Sequence, residues 1–231
     1  MGIDNLISFA RTIGFEGDIP RNLSVALGSF NITPFHLAVI YDLFASNGMK
    51  VKPISIKYVT DKKGRILESN EPEPEQVLSP QTTFLITSMM EDVVKYGTGW
   101  RAKALGLPVA GKTGTTNDYK DAWFVGYSSN LVSCVWVGFD NFKTLGPLET
   151  GARAASPIWV SFMQNALRGG GSEEFAVPEG IVSSVIDPKT GLLSRDESGI
   201  REYFKEGTQP RQLSPSKSLL EIKEPSRIDF D

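Results

Sequence analysis

The sequence predicts an α/β fold of the α+β kind: an antiparallel sheet covered by helices on both faces, with a small β appendage towards its C-terminal end. Three observations predict it. Residues 109–116, 121–127 and 131–139 read as three strands in quick succession. Such short connections suit antiparallel neighbours, because a parallel pair needs a long crossover. The last run, Leu131-Val132-Ser133-Cys134-Val135-Trp136-Val137-Gly138-Phe139, is apolar at odd and even positions alike, which calls for cover on both faces. Finally, Thr33-Pro34 and Ser79-Pro80 each place a capping hydroxyl before a proline, and apolar residues at helical spacing follow both.

In chain order, Ile3, Leu6, Ile7, Ala10 and Ile13 have helical spacing that stops at Gly14. A polar link through Pro20 and Asn22 leads to Thr33-Pro34 and a helix whose buried stripe is Leu37, Ala38, Ile40, Tyr41, Phe44 and Ala45, ended by Asn47-Gly48. Val51 to Val59 alternates as a strand, and Asp61-Lys62-Lys63-Gly64 turns it back towards Ile66-Leu67. Residues 68–78 read as a solvated Pro/Glu-rich loop. Ser79-Pro80 opens a helix carrying Phe84, Leu85, Met89 and Val93 to Gly97-Thr98-Gly99. After the strands, a helix near Ala152 to Leu167 turns Ile158, Trp159, Phe162, Met163 and Ala166 inward. Gly169-Gly170-Gly171-Ser172 reads as a flexible linker. The expected division is residues 1–168 as the compact domain, 169–207 as linker and small β extension around Asp187-Pro188-Lys189-Thr190-Gly191, and 208–231 as a disordered tail.

Composition excludes several classes. A net charge of −3 offers no basic face for phosphates, so nucleic acid is not an expected partner. The single cysteine, Cys134, excludes an internal disulfide and a Cys-based zinc site, and its apolar strand makes it a small core residue. His36, the only histidine, falls in the first turn of a helix with no nucleophile nearby and reads as a helix-surface residue. Neither a metal nor a cofactor is expected. No apolar run approaches the ~20 residues of a membrane span. Met1-Gly2-Ile3-Asp4-Asn5-Leu6 lacks the basic and apolar regions of a signal peptide, so no export or anchoring device is expected within the chain.

The chemistry concentrates in Val109-Ala110-Gly111-Lys112-Thr113-Gly114-Thr115-Thr116. The ammonium of Lys112 and the threonine hydroxyls can hold an anion, and Gly111 and Gly114 permit close approach and unusual dihedrals. Two chemistries fit. Gly106-Leu107-Pro108-Val109-Ala110-Gly111-Lys112-Thr113 matches a phosphate-binding loop letter for letter. That loop needs a buried strand before Gly106 and a helix after Thr113, whereas Trp100-Arg101-Ala102-Lys103-Ala104-Leu105 precedes it and Gly114-Thr115-Thr116-Asn117-Asp118 follows. The other chemistry is acyl transfer through a serine. There a Lys-Thr-Gly edge strand fixes the substrate carboxylate, and a backbone N–H just beyond completes an oxyanion hole.

The flanks favour the second. Residues Arg101 to Thr116 with Asp121-Ala122-Trp123-Phe124-Val125-Gly126-Tyr127, preceded by Leu27-Gly28-Ser29, Thr33-Pro34, Leu37-Ala38, Tyr41, Phe44-Ala45 and Gly48, resemble the transpeptidase domain of class A penicillin-binding proteins, the bifunctional peptidoglycan synthases. The resemblance covers residues 3–168 and implies an incomplete β-lactamase/transpeptidase-like fold, the C-terminal part of that domain. It implies that Lys112, Thr113, Gly114 and Thr115 bind substrate, Thr113 and Thr115 holding the carboxylate of a stem peptide ending in D-Ala-D-Ala or of a β-lactam. The N–H of Thr115 would serve the oxyanion. It also implies a place at the outer face of the cytoplasmic membrane, with glycosyltransferase domain and anchor expected only in the full-length family member. The family's Ser-x-x-Lys nucleophile motif and its Ser-x-Asn precede the first residue here. Ser214-Pro215-Ser216-Lys217, Ser29-Phe30-Asn31 and Ser128-Ser129-Asn130 match these motifs by letters only. A truncated enzyme, inactive alone, is therefore expected; the alternative is a scaffold or partner-binding remnant of the fold.

Overall fold

The computed structural model describes residues 2–28, 30–170, 172–196 and 199–215. By its internal contacts the chain divides into two units, between Ala176 and Val177.

The first unit opens with α1 (Ile3–Thr12), followed by Gly14 at φ +97°. Thr33 accepts a hydrogen bond from the His36 N–H (3.2 Å) and Ser79 one from the Thr82 N–H (3.2 Å). These caps begin α2 (Pro34–Ala45) and, later, α3 (Pro80–Lys95), as the Thr-Pro and Ser-Pro pairs predict. Between the two helices, β1 (Met49–Lys50) pairs with β4 (Glu75–Gln76), and β2 (Tyr58–Thr60) with β3 (Ile66–Ser69), all antiparallel. The strand expected over 51–59 is thus shorter: Pro53 has no N–H to give a ladder, and regular pairing begins only at Tyr58.

Two helices bury different faces from those expected. In α2, Ile40 and Leu43 are buried and the other stripe residues only half-buried. In α3, Phe84 is buried but Met89 is 61% exposed, while Thr83, Thr87, Ser88, Met90 and Val94 turn inward. The inward polar face is explained in part by Thr87, whose hydroxyl lies 2.8 Å from the Tyr127 phenol. A satisfied hydroxyl is tolerated in a core, and it disguises the helix's apolar period.

The central sheet is β5 (Ala110–Thr115), β6 (Asp121–Tyr127) and β7 (Val132–Gly138), antiparallel and in that spatial order. Phe124 and Tyr127, three residues apart on β6, point to opposite faces. Phe124 meets Trp159 of α4 (Ser156–Ala166) at 4.8 Å between ring centroids, and Tyr127 meets Tyr41 of α2 at 6.3 Å. Helices therefore cover both faces. On the α4 side Val94, Val109, Phe124, Ala155, Trp159 and Met163 form the main core. Ile158 and Phe162, expected inside, stay about half exposed. Met90 of α3 packs on Ala110 at the start of β5. Ala110 and Gly111 are buried, and Lys112 to Thr115 run along an open rim.

The unit also reaches past the expected boundary at 168. Ser172 donates to the Pro108 carbonyl (2.9 Å), the Glu173 N–H to Ser129 Oγ (2.9 Å), and Phe175 packs edge-on against Tyr127 (5.6 Å). These anchors hold the segment read as a flexible linker; Gly171 lies outside the described residues.

The second unit contains the small β appendage, β8 (Ile181–Ile186) paired antiparallel with β9 (Ile200–Lys205). Residues 208–215, expected in a disordered tail, are tied in. The Leu193 N–H donates to the Gln212 carbonyl (2.9 Å), the Ser214 N–H to the Leu193 carbonyl (2.8 Å), and the Ser214 hydroxyl to Asp187. The rest of that expected tail, 216–231, lies outside the described residues.

Candidate functional site

Lys112 to Thr115 are extended strand at the edge of the sheet, and no α-helix starts after Thr113: the strand runs on to Thr115 and only a short 3-10 turn (Asn117–Tyr119) follows. Gly106 closes a 3-10 turn (Trp100–Leu105) at φ +64°, so the Gly106–Thr113 segment is no phosphate-binding loop: its amides do not converge at a helix N-terminus. Gly111 and Gly114 serve close approach rather than unusual dihedrals. A Cβ at 111 would lie 2.9 Å from the Val125 carbonyl oxygen, and one at 114 would lie 3.2 Å from the Trp123 Cβ.

Strand alternation distributes the four predicted residues. Lys112 and Gly114 stand opposite Val125 and Trp123 on the α2 side of the sheet; Thr113 and Thr115 stand opposite Phe124 and Ala122 on the α4 side. The two hydroxyls are already engaged: Thr113 Oγ1 lies 2.6 Å from Thr98 Oγ1, and Thr115 Oγ1 accepts the Gly151 N–H at 3.0 Å. Each pair still keeps a hydroxyl proton to donate. The main chain alternates as well. The Thr116 N–H donates to the Asp121 carbonyl (3.1 Å), and with this register Gly114 and Lys112 also bond towards β6. Thr113 and Thr115 therefore turn their N–H and C=O groups outward. The Lys112 ammonium folds back on the outward Thr113 carbonyl (2.8 Å), and among the described residues it has no ion pair.

The rim borders a groove of about 510 Å³ on the α2 side. Its floor includes Trp123, Val125 and Trp136, its far wall Phe30, Asn31 and Leu37. The segment before α2, which the sequence marks only as a loop, thus faces Lys112; Ser29 itself lies outside the described residues. Two loops that flank the strands hold non-glycine residues at positive φ: Asp118 and Tyr119 between β5 and β6, Phe142 and Leu148 after β7. Phe142 lines the groove. A larger cavity of about 580 Å³ lies away from β5, between α2 and residues 51–58 and 70–72. Its wall is mostly apolar, its lysines Lys52 and Lys57 are accompanied by Asp42 and Glu71, and it lacks the threonine hydroxyls of the rim, so the groove is the candidate site.

The remaining sequence candidates lie elsewhere. His36 is half-buried at the start of α2, its Nδ1 2.9 Å from Thr33 Oγ1 and its Nε2 3.7 Å from Glu16. Ser128 to Asn130 make the β6–β7 turn, with the Asn130 N–H donating to Ser128 Oγ (3.2 Å). Ser214 is buried in the second unit; Ser216 and Lys217 lie outside the described residues. Cys134 is a half-buried thiol that burial pushes up to about 12, which makes it inert at neutral pH. Among the described residues, no cluster of His, Cys, Asp or Glu could hold a metal ion, and no helix is long and apolar enough to cross a membrane.

Comparison with known proteins agrees with this fold. Residues 14–164 match the penicillin binding protein transpeptidase domain. Penicillin-binding protein 1A of Aquifex aeolicus is 40% identical over 212 residues, 91% of this chain and 29% of that protein. Its counterpart in Pseudomonas aeruginosa is 37% identical, covering 83% of this chain and 30% of that protein. Among solved structures, penicillin-binding protein 1A from Haemophilus influenzae superposes with a TM-score of 0.86 at 30% identity, over 93% of this chain and 38% of that one. The PonA1 protein from Mycobacterium tuberculosis in complex with penicillin V gives 0.63 at 25% identity, over 73% of this chain and 51% of that one. The chain spans about 30% of the length of the curated relatives it matches. With residues 14–164 matched and the fold shared, this chain belongs to the penicillin-binding protein transpeptidase family.

Proposed function

We propose that the chain supplies the substrate-binding edge strand of a peptidoglycan D,D-transpeptidase acting at the outer face of the bacterial cytoplasmic membrane. In that reaction a serine oxygen attacks the penultimate D-Ala carbonyl of a stem peptide, terminal D-Ala leaves with its amine, and the amine of a second peptide takes the acyl group. A β-lactam carries a like carboxylate and acylates the same serine. The observation that carries this reading is the course of Lys112 to Thr115, extended along the groove with outward main-chain groups and an ammonium that has no ion pair among the described residues. An edge strand of this kind aligns a peptide-like ligand by strand addition, and Lys112, Thr113 and Thr115, all lining the groove, supply an ammonium and hydroxyls for its terminal carboxylate. The outward course of the Thr115 N–H supports reading it as an oxyanion donor.

Among the described residues lining the groove there is no serine, and the reading gives them the binding of the acyl donor rather than the attack on it. The test is calorimetric titration of the chain with N-acetyl-D-Ala-D-Ala and with benzylpenicillin. Binding of both ligands is expected, weakened about ten- to a hundredfold in Lys112→Ala, the loss typical of a charge-assisted hydrogen bond. Unchanged affinity in Lys112→Ala would refute the reading.

A further inference from the structure

Two tryptophans share the sheet face with Lys112. Trp123 stands across from Gly114 on one side and Trp136 on the other, forming one row through the sheet. Their ring centroids are 6.1 Å apart and the planes 44° from parallel. Two glycines give the indoles room to lie along the sheet. A Cβ on Gly114 would sit 3.6 Å from Trp123 Cγ and 3.7 Å from its Cδ1. One on Gly138 would sit within 2.4–2.9 Å of the Trp136 ring atoms Cζ2, Cε2 and Nε1. Asp121, opposite Gly138, fixes the second ring: its Oδ1 accepts the Trp136 indole N–H at 2.8 Å and its Oδ2 accepts the Thr116 hydroxyl at 3.2 Å. Both indoles are half-buried, and both line the same groove as the Lys112 strand.

We propose that Trp123 and Trp136 form an aromatic platform that binds the apolar, preferentially planar group of the ligand whose carboxylate docks at the Lys112 strand. Asp121, which also lines the groove, is a positioning residue that acts through its hydrogen bond to the Trp136 indole. The proposal rests on the substrate-strand reading above and adds the chemistry of the ligand's other end. Gly114 and Lys112 lie two residues apart on β5, so Trp123 sits about 7–8 Å diagonally from Lys112, within the span of a small acyl-amino carboxylate. A π-face at that distance takes an aryl or flat amide group by stacking.

The test compares two penicillins that share a nucleus and carboxylate and differ only in bearing a phenylacetyl or an acetyl side chain. Their affinities for the full chain are measured by calorimetry, with tryptophan emission as a second readout. The chain is expected to prefer the phenylacetyl form about tenfold, the size of one aromatic contact plus its burial. Trp123→Leu and Trp136→Leu should abolish that preference, so that both forms bind alike, and remove the emission change. Asp121→Ala should narrow the preference, which a merely structural role would leave intact while weakening both ligands alike. Trp123→Phe, the milder change, should keep part of the preference and serves if the leucine variants fail to fold. A preference that survives in the leucine variants, or in Trp123→Phe is undiminished, overturns the platform and leaves the Lys112 reading standing. Unchanged binding of both penicillins to Lys112→Ala overturns that reading instead, and a chain that binds neither overturns both.

Discussion

Thr115 Oγ1 accepts the backbone N–H of Gly151 at 3.0 Å, fastening the end of β5 to the π-helical turn Gly151–Ala155. The approach is close: a Cβ on Gly151 would lie 2.2 Å from the Trp123 carbonyl oxygen and 2.6 Å from that of Gly114. Gly151→Ala is therefore expected to push the turn off the sheet and lower stability by about 1–3 kcal/mol, the usual cost of overpacking. Urea unfolding measures this; an unchanged midpoint would show that the turn yields freely.

The buried hydrogen bond between Thr87 and Tyr127 joins α3 to the centre of the sheet. Tyr127→Phe leaves a buried hydroxyl without its partner and should cost about 1–3 kcal/mol. Adding Thr87→Val removes the orphan, so the double variant should be less destabilised than the sum of the singles. Simple additivity in a double-mutant cycle would show that the pair is not coupled.

Alkaline pH should unfold the first unit early. Burial raises the Tyr41 phenol to about 12, with Cys134 adding to it, raises the Cys134 thiol to about 12, and raises Tyr127 further still. The native protein holds these protons after the unfolded chain has released them, so the unfolded state gains as pH rises. The loss begins near pH 9 with the cysteine and steepens above 10 with the tyrosines, at about 1.4 kcal/mol per pH unit for each group fully engaged. Cys134→Ala should flatten the earliest part of the decline. Urea midpoints constant from pH 8 to 11 would contradict the burial of all three.

Ser214 is a structural serine. Its hydroxyl, with the Lys189 N–H, holds the Asp187 carboxyl below the usual carboxylate range, so the stabilisation it brings is present above the unfolded value and lost as pH falls through the lower, native one. Ser214→Ala should move the Asp187 titration, followed by NMR, back towards its ordinary value. Affinity for ligands in the groove should not change, and fluorescent penicillin should leave no covalent label on either form. A labelled band that disappears on this substitution would make Ser214 a nucleophile.

Much of this architecture is legible in the sequence because it rests on local chemistry. Thr33-Pro34 and Ser79-Pro80 are capping signals that need no tertiary context, and the close succession of strands after Gly106 leaves one economical pairing. What depends on tertiary partners is hidden. The inward face of α3 carries Thr83, Thr87 and Ser88, so its period misleads until Tyr127 supplies a hydrogen-bond partner for Thr87. Pro53 alone warns that 51–57 is no strand. Lys112 and its neighbours are visible as a cluster, but their division between two faces of an edge strand is set by register, and the engagement of Thr115 by a residue 36 positions away is invisible locally. Nothing local singles out Trp123 and Trp136. The available signal was their alternation with Gly138 along the strands and the glycine at 114, which only register brings opposite Trp123.

The most direct test of the substrate strand is an amide-resolved NMR titration of the chain with benzylpenicillin. The outward amides of Thr113 and Thr115 should shift most, while those of Lys112 and Gly114, bonded towards β6, move little. Shifts centred on Gly106 to Ala110, or none along β5, would contradict the assignment of this edge to the acyl donor.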